Sequence, residues 1–261
     1  MLTKDDIVFE EDLYAHSHVH SQGEVSEALV ELINTFAAEL GIKRLDKVIV
    51  KKTDFFDTEL GLANYKKYTI VLANSVAFCL ADKSARFYQR SLAVLKHELY
   101  HFQDYQNLRI NVICKRVSEI NTEVLDDFRC WTEFFASFST FEVCEDENLY
   151  TSFESVLKKG YSTVKDKKYY TCRLFGYYLH GSHSERCDKL VAKYLSKNAL
   201  DNATNSFKSI LQSYPQYSTE QLRNIGLAIS EVIDKQDDIP TYTPVSRGDF
   251  WTQVLKKAKR D

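Results

Sequence analysis

The amino-acid sequence predicts an α+β fold in which helices predominate and a small sheet lies near the N-terminus. Helix breakers are scarce, because the 261 residues include only eight glycines and three prolines, and no proline precedes Pro215. From about Ser84 onward, apolar residues recur at the spacing of amphipathic helices. Short runs rich in β-branched residues lie upstream, which indicates that the strands precede most of the helices.

The first predicted helix covers residues 21–41. Ser21 and Glu24 have the spacing of a capping box, and Gly41 stands where a glycine commonly ends a helix. Its apolar residues recur at helical spacing: Val25, Ala28, Leu29, Leu32, Ile33, Phe36 and Leu40.

Two or three strands are expected next, and the runs Lys47–Lys51 and Tyr68–Leu72 are predicted to be two of them. Gly61 and Asn64 are interpreted as turn residues upstream of the second run. The remaining helices are predicted over 84–107, 118–143, 149–160, 167–180, 184–197, 201–213 and 218–235.

The chain is predicted to have three parts. Residues 1–148 are expected to form a core domain, and residues 149–235 a helical region packed on that core. Prolines and a glycine indicate a linker within 236–261, which ends in a short helix from Phe250 to Lys259.

Charge and composition exclude several classes of protein. The net charge of −3 shows no excess of basic residues, so no nucleic-acid partner is expected. The N-terminus lacks the apolar core of an export signal and no long apolar run follows, so a cytoplasmic protein without a membrane partner is expected. The cysteines form no CxxC pair and are expected to be reduced thiols: Cys79, Cys114, Cys130, Cys144, Cys172 and Cys187.

The run His97-Glu98-Leu99-Tyr100-His101 contains HExxH within a helical stretch that lacks glycine and proline. Four-residue spacing places the two imidazoles one turn apart on one helix face, where they could bind one zinc ion. Glu98 lies about 100° around the helix and can reach a zinc-bound water without ligating the metal. The metal would lower the pKa of that water from about 15.7 toward 7, and the carboxylate would accept the proton.

A catalytic zinc ion needs a third protein ligand and an open fourth position. A ligand six residues beyond the motif is excluded, because Asp104 stands at the turn position and Asn107 at the ligand position. The best candidate is Glu133, whose phenylalanine neighbours predict that it is buried. An ion pair between Glu133 and Arg129 is the alternative that needs no metal. Three carboxylates on the same predicted helix are rival ligands: Glu123, Asp126 and Asp127.

These motifs resemble those of zincin metallopeptidases of the gluzincin type, with HExxH followed by ExxA at 133–136. The order of a helix, a small sheet, an HExxH helix and a glutamate helix also resembles the ImmA/IrrE-like peptidases of bacteria and their mobile elements, over residues 20–145. In zincins a sheet edge beside the active site pairs with extended peptide, and the resemblance implies Tyr68–Leu72 as that edge. It implies a zincin-like core with Zn²⁺ as cofactor, ligands at His97, His101 and Glu133, and Glu98 as general base.

A second resemblance is to the membrane-associated M48-type gluzincins, through the segment from Ser182 to Arg186 around His183. The sequence departs from that group, because the proline after the histidine is missing and Ser137 replaces the aspartate expected after ExxA. A carboxylate that orients a ligand histidine would then come from Asp126 or Asp104.

Peptide hydrolysis also needs a donor aimed at the developing oxyanion. His183 is the predicted catalytic donor, and the alternatives are His180, Tyr177, Tyr178 and Tyr170.

A second histidine cluster alternates as His16, His18 and His20. A loop before the Ser21 cap is the favoured interpretation, and a second metal site or a cap over the active site is the alternative.

The sequence as a whole predicts a zinc metallopeptidase that cleaves peptide bonds of a specific protein substrate. The first alternative is a catalytically silent binding or regulatory module on the same scaffold, and the second is a zinc hydrolase of a non-peptide bond. The oligomeric state is left open.

Overall fold

The computed structural model describes residues 1–10, 20–52, 60–112, 120–143, 150–151, 153–154, 164–181, 184–195 and 197–234. Within these residues the predicted α+β class, with helices predominating, is confirmed. The strands are β1 (Ile7–Phe9), β2 (Lys47–Lys51), β3 (Gly61–Asn64) and β4 (Thr69–Ala73). The longer helices are α1 (Gln22–Glu39), α2 (Asn74–Leu80), α3 (Tyr88–Asn111), α4 (Thr122–Thr140), α5 (Val164–His180), α6 (Glu185–Tyr194), α7 (Lys197–Ser213) and α8 (Thr219–Asp234).

The sheet has the strand order β1-β2-β4-β3. β1, β2 and β4 are parallel neighbours, and β3 pairs antiparallel with β4. The run Tyr68–Leu72, expected at the edge beside the site, instead forms most of β4, whose five residues are buried between β2 and β3. That interpretation was wrong, because β3 pairs along the outer side of β4. Gly61 and Asn64, interpreted as turn residues, are the first and last residues of β3.

The predicted helices have close counterparts in the described part of the chain. α1 begins at the predicted capping box, in which the Glu24 N–H donates to Ser21 Oγ and the Ser21 N–H donates to the Glu24 carboxylate. Helix ends between residues 84 and 235 differ from the prediction by up to four residues, where both are described. The two short elements β1 and α2 were not predicted from the sequence. Of the predicted helix over 149–160 only residues 150–151 and 153–154 are described, and the predicted helix from Phe250 to Lys259 lies outside the described residues.

Two hydrophobic cores meet along α3. The first core joins the sheet, α1, α2 and the first part of α3, to which Leu95 and Leu99 belong. The second core joins the last part of α3, from Tyr105, to α4 and to α5–α8. The HExxH motif therefore lies where the two cores join. The boundary predicted at residue 148 stays a prediction. In the described part of the chain, no helix is both long and apolar enough to cross a membrane.

Helices α4 and α5 run parallel and in close contact. Going along α5, Cys172 contacts Cys130, Gly176 meets the backbone of Phe134, and His180 packs on Phe141. A Cβ atom at Gly176 would lie 2.5 Å from the Phe134 carbonyl oxygen and 2.8 Å from the Phe138 nitrogen. Because these are backbone atoms of a packed helix, only glycine allows the two helices to approach this closely.

We expect Gly176→Ala to destabilise the protein by about 1–3 kcal/mol, because the overpacking at this crossing exceeds the gain in helix propensity. Gly23→Ala is the matched control, since its nearest atom is Ser21 Oγ at 3.8 Å and the added methyl group has room. Urea unfolding of both variants tests this. An equal or greater stability of Gly176→Ala than of Gly23→Ala would show that the two helices separate at little cost.

Candidate metal centre

His97 and His101 project from adjacent turns of α3 toward one point. Both are buried, and their Nε2 atoms lie 3.1 Å apart with the ring planes at 87°. Two ligands that are each 2.0–2.1 Å from a tetrahedral zinc ion are separated by about 3.3 Å. The HExxH spacing thus gives nearly the separation that two zinc-binding imidazoles need.

Glu133 reaches the same point from α4. Its Oε2 lies 3.5 Å from His97 Nε2, and its Oε1 lies 3.6 Å from His101 Nε2. One ligand atom from each of the three residues lies within 4.8 Å of the others, so this buried group could hold a metal ion.

The rival carboxylates on α4 lie elsewhere. Asp126 is exposed and pairs with Arg129, so the ion pair suggested between Arg129 and Glu133 is replaced by a pair with Asp126. Glu123 is exposed in the first turn of α4. Asp127 is half-buried against Gly226 of α8. Among the described residues, the group that could hold a metal does not include these three carboxylates.

Burial keeps the two imidazoles in the form that binds metal. It lowers the pKa of His97 well below its usual value, and it lowers the pKa of His101 to about 3 against the opposing charge of Glu133. Both rings are therefore neutral at pH 7, so their contacts with Glu133 are not ion pairs. Burial also raises the pKa of Glu133, and its Oε2 has no hydrogen-bond partner among the described residues. Two neutral imidazoles and a carboxylate oxygen without a hydrogen-bond partner fit a catalytic zinc site. Buried polar atoms need a partner, and a bound zinc ion would provide one.

Glu98 is buried on α3 beside strand β3. A Cβ atom at Gly61 would lie 2.9 Å from both Cγ and Oε1 of Glu98. The carboxylate of the predicted general base therefore packs directly against the backbone of the edge strand. No sequence pattern indicates this contact, since it depends on how the sheet lies over α3.

A buried polar chain begins at His101 and leads away from the metal-binding atoms. His101 Nδ1 lies 2.9 Å from Thr132 Oγ1, so with Nε2 facing the metal position, Nδ1–H donates to the hydroxyl oxygen. The Asp104 carboxylate is fully buried and faces Thr132, Trp131 and Tyr214, without a hydrogen bond of normal geometry in the described part of the chain. Asp104 and Asp126 are the two carboxylates expected to orient a ligand histidine. Of these, Asp104 is the one that faces Thr132, the residue that contacts His101.

Asp104 is expected to make the stability of the metal-free protein depend on pH. Burial raises its pKa to about 7, above the value of 3.8 for an exposed aspartate. The folded protein thus keeps a proton that the unfolded chain loses, so the free energy of unfolding falls as pH rises from about 4 to 7. We expect Asp104→Asn to remove this loss, with a gain in stability that grows by roughly 2–3 kcal/mol from pH 5 to pH 8.

Urea unfolding at several pH values in the presence of a chelator measures this gain. The exposed Asp126→Asn variant is the matched control and should follow the wild type. A gain for Asp104→Asn that does not vary with pH would contradict the prediction.

The predicted oxyanion donors are mostly engaged elsewhere. Tyr177 is buried against Phe141, and Tyr170 is buried in the second core. His180 packs on Phe141, and its Nε2 lies 3.8 Å from a Glu142 carboxylate oxygen. Tyr178 packs half-buried against the second core. His183, together with His16 and His18, lies outside the described residues; His20 is half-buried just before α1.

Tyr65, in the turn between β3 and β4, is a residue that the sequence analysis did not consider. Its ring stacks on Tyr105 and meets Phe102 edge-on, so it touches both hydrophobic cores at their junction. Burial raises the pKa of its hydroxyl, and the nearby groups Tyr105, Glu133 and Glu98 raise it further. The hydroxyl therefore stays protonated, as a donor must, and it lies near both the base and the third candidate ligand.

Comparison with protein-family models, with curated proteins and with solved structures gives no match for this chain. The resemblance to gluzincins therefore stays a prediction that rests on the motifs and on the geometry of their residues.

Proposed function

We propose that this protein is a zinc-dependent metallopeptidase that hydrolyses peptide bonds of a specific protein substrate in the cytoplasm. The observation that carries the proposal is the convergence of His97, His101 and Glu133 on one point, with Glu98 one residue after the first histidine. A bound zinc ion would supply Lewis acidity, which lowers the pKa of a coordinated water from about 15.7 toward 7.

The protein's own groups would transfer the proton, orient a ligand histidine and bind the oxyanion. Glu98 accepts a proton from the attacking water and delivers it to the leaving amine, because it adjoins His97 on α3 and does not belong to the group that could hold the metal. Thr132 accepts a hydrogen bond from His101 Nδ1–H and so fixes the tautomer in which Nε2 can bind the metal. The Tyr65 hydroxyl donates a hydrogen bond to the oxyanion that develops on the scissile carbonyl.

Strand β3 favours a peptide over another kind of substrate. Among the described strands it pairs only with β4, which leaves its outer side available to an extended chain. Gly61 places this strand against Glu98, so a peptide added along the edge would pass next to the base. This observation favours peptide hydrolysis over a zinc hydrolase of a non-peptide bond.

Metal content and cleavage together test the proposal. We expect about one zinc ion per chain, measured by elemental analysis, and new peptide termini when a cell proteome is incubated with the wild type but not with Glu98→Gln. Zinc binding without cleavage would favour the alternative of a catalytically silent binding or regulatory module. A protein that takes up no zinc after reconstitution would exclude both.

Removing the Tyr65 hydroxyl is expected to slow the reaction with little effect on substrate binding. Tyr65→Phe keeps the ring that stacks on Tyr105, so the fold and the metal should be retained. Loss of one oxyanion donor lowers kcat by about 100-fold, with KM little changed. Steady-state kinetics on a substrate identified by the proteome experiment measures both constants, with Tyr178→Phe as control. A larger loss in Tyr178→Phe would assign the donor to α5.

A further inference from the structure

Lys66 and Lys67, the lysine pair, lie side by side in the turn between β3 and β4. Both are exposed, and in the described part of the chain neither forms an ion pair. The nearby Arg44 differs, because its Nη2 lies 2.7 Å from Asp46 Oδ2 and its charge is thereby compensated. The lysine pair is therefore positive charge that no described carboxylate compensates.

Contacts with α3 and within the turn fix the backbone that carries the lysine pair. The Tyr65 ring stacks on Tyr105, with the ring centres 3.2 Å apart, and meets Phe102 edge-on. The Lys67 N–H donates to the backbone oxygen of Asn64 and also lies 3.2 Å from Asn64 Oδ1. Because the turn is already ordered, binding by the lysine side chains costs little further entropy of the backbone.

Strand β3 and the turn run alongside α3 in the same direction. A Cβ atom at Gly61 would lie 2.9 Å from Glu98 Oε1 and 3.0 Å from Val94 Cγ1. Four residues later, Tyr65 meets Phe102, which is one helical turn beyond Glu98. Four strand residues span about 13 Å. An extended peptide on the outer side of β3 would therefore pass Glu98 at one point and the lysine pair about four or five residues away.

We propose that the lysine pair binds acidic side chains of the substrate, so that preferred cleavage sites carry Asp or Glu three to five residues before the scissile bond. The inference rests on the proposed function. Asn64 and Lys66 lie three and five positions beyond Gly61, and a paired peptide has the same spacing.

The orientation of the peptide follows from the stability of strand pairing. Antiparallel pairing is slightly more stable per residue than parallel pairing. In an antiparallel peptide, the residues beside the end of β3 precede the residue beside Gly61 in the peptide sequence. Complementary charge at this distance from the scissile bond gives specificity and faster encounter rather than a large gain in affinity.

Cleavage-site profiling tests the proposal. A library of peptides from a digested proteome is incubated with the zinc-loaded full-length protein, and the new termini are identified by mass spectrometry. We expect Asp and Glu to be enriched about threefold at the three to five positions before the scissile bond, a modest factor typical of exposed ion pairs. The enrichment should decline at 0.5 M NaCl, because salt screens exposed charges.

Reversing the charge of the lysine pair should reverse the preference. Lys66→Glu/Lys67→Glu is expected to enrich Lys and Arg at the same positions and to keep its zinc, since both side chains are exposed. Lys66→Gln/Lys67→Gln should lose the acidic preference without reversing it, which provides a test if the reversed charges impair folding. Lys208→Glu/Arg223→Glu is the matched control, because it changes the net charge equally at exposed positions on α7 and α8; it should keep the acidic preference.

Three results would overturn this inference alone: cleavage without acidic enrichment, enrichment only after the scissile bond, and enrichment that persists when the charges of the lysine pair are reversed. Loss of nucleic-acid binding in the reversed variant, with cleavage sites unchanged, would assign the lysine pair to a nucleic acid instead. The absence of any cleavage by the zinc-loaded wild type would overturn the proposed function itself.

Discussion

Replacing Glu98 by glutamine is expected to abolish peptide cleavage and to leave the metal in place. The amide has the size of the carboxylate but cannot accept a proton, and loss of a general base lowers kcat by about 100- to 10,000-fold. Glu98 is not in the group of residues that could hold the metal, so zinc content should stay near one per chain. Cleavage rates measured at saturating and at limiting substrate concentrations separate a loss of catalysis from a loss of substrate binding.

Glu123→Gln is the matched control for this experiment. Glu123 is exposed in the first turn of α4, and its backbone N–H donates to the Asn121 side chain. Because the Glu123 carboxylate is exposed, it can be changed without effect on the site. Normal turnover by Glu98→Gln would refute Glu98 as the base. Loss of zinc from that variant would indicate that Glu98 helps to hold the metal.

The part of the site that lies on one helix could be predicted from the sequence. HExxH fixes the positions of His97, Glu98 and His101 through helical geometry alone, and the structure brings the two imidazoles together as expected. Glu133 was predicted from its apolar neighbours, since a carboxylate flanked by phenylalanines on an amphipathic helix is buried with them. Both arguments use contacts within a single helix, where sequence spacing determines direction.

The parts that depend on how elements pack on one another could not be predicted. Thr132 meets His101 only because α4 crosses α3, and α5 approaches α4 closely only because Gly176 has no side chain. The prediction that Tyr68–Leu72 forms the edge of the sheet was wrong for a similar reason. β3 has the sequence Gly-Leu-Ala-Asn, which has little strand propensity, and it becomes a strand because the stronger strand β4 offers it an edge. Packing between distant segments therefore decides these features.

Replacing Glu133 by alanine is expected to remove the metal. The proposed site has three protein ligands, and loss of one of them should weaken zinc binding by roughly 3–5 kcal/mol, or about 100- to 5,000-fold. Competition with a chelator of known affinity measures the change. Asp126→Ala is the control, since its carboxylate is exposed on the same helix and pairs with Arg129. Equal zinc affinity in Glu133→Ala and the wild type would move the third ligand to another residue.

Glu133 is also expected to lower the stability of the protein when no metal is bound. Burial raises the pKa of Glu133, and its Oε2 has no hydrogen-bond partner among the described residues, so the ionised carboxylate destabilises the metal-free protein. Glu133→Gln keeps the volume and removes the charge, and we expect it to unfold at a higher urea concentration than the wild type in the presence of a chelator. With zinc at about 1,000 times the wild-type Kd, the order should reverse, because binding adds about 4 kcal/mol to the wild type and much less to the variant, whose affinity is lower. A carboxylate that stabilises the protein only with its metal is maintained for binding, whereas a structural glutamate would stabilise the protein in both conditions.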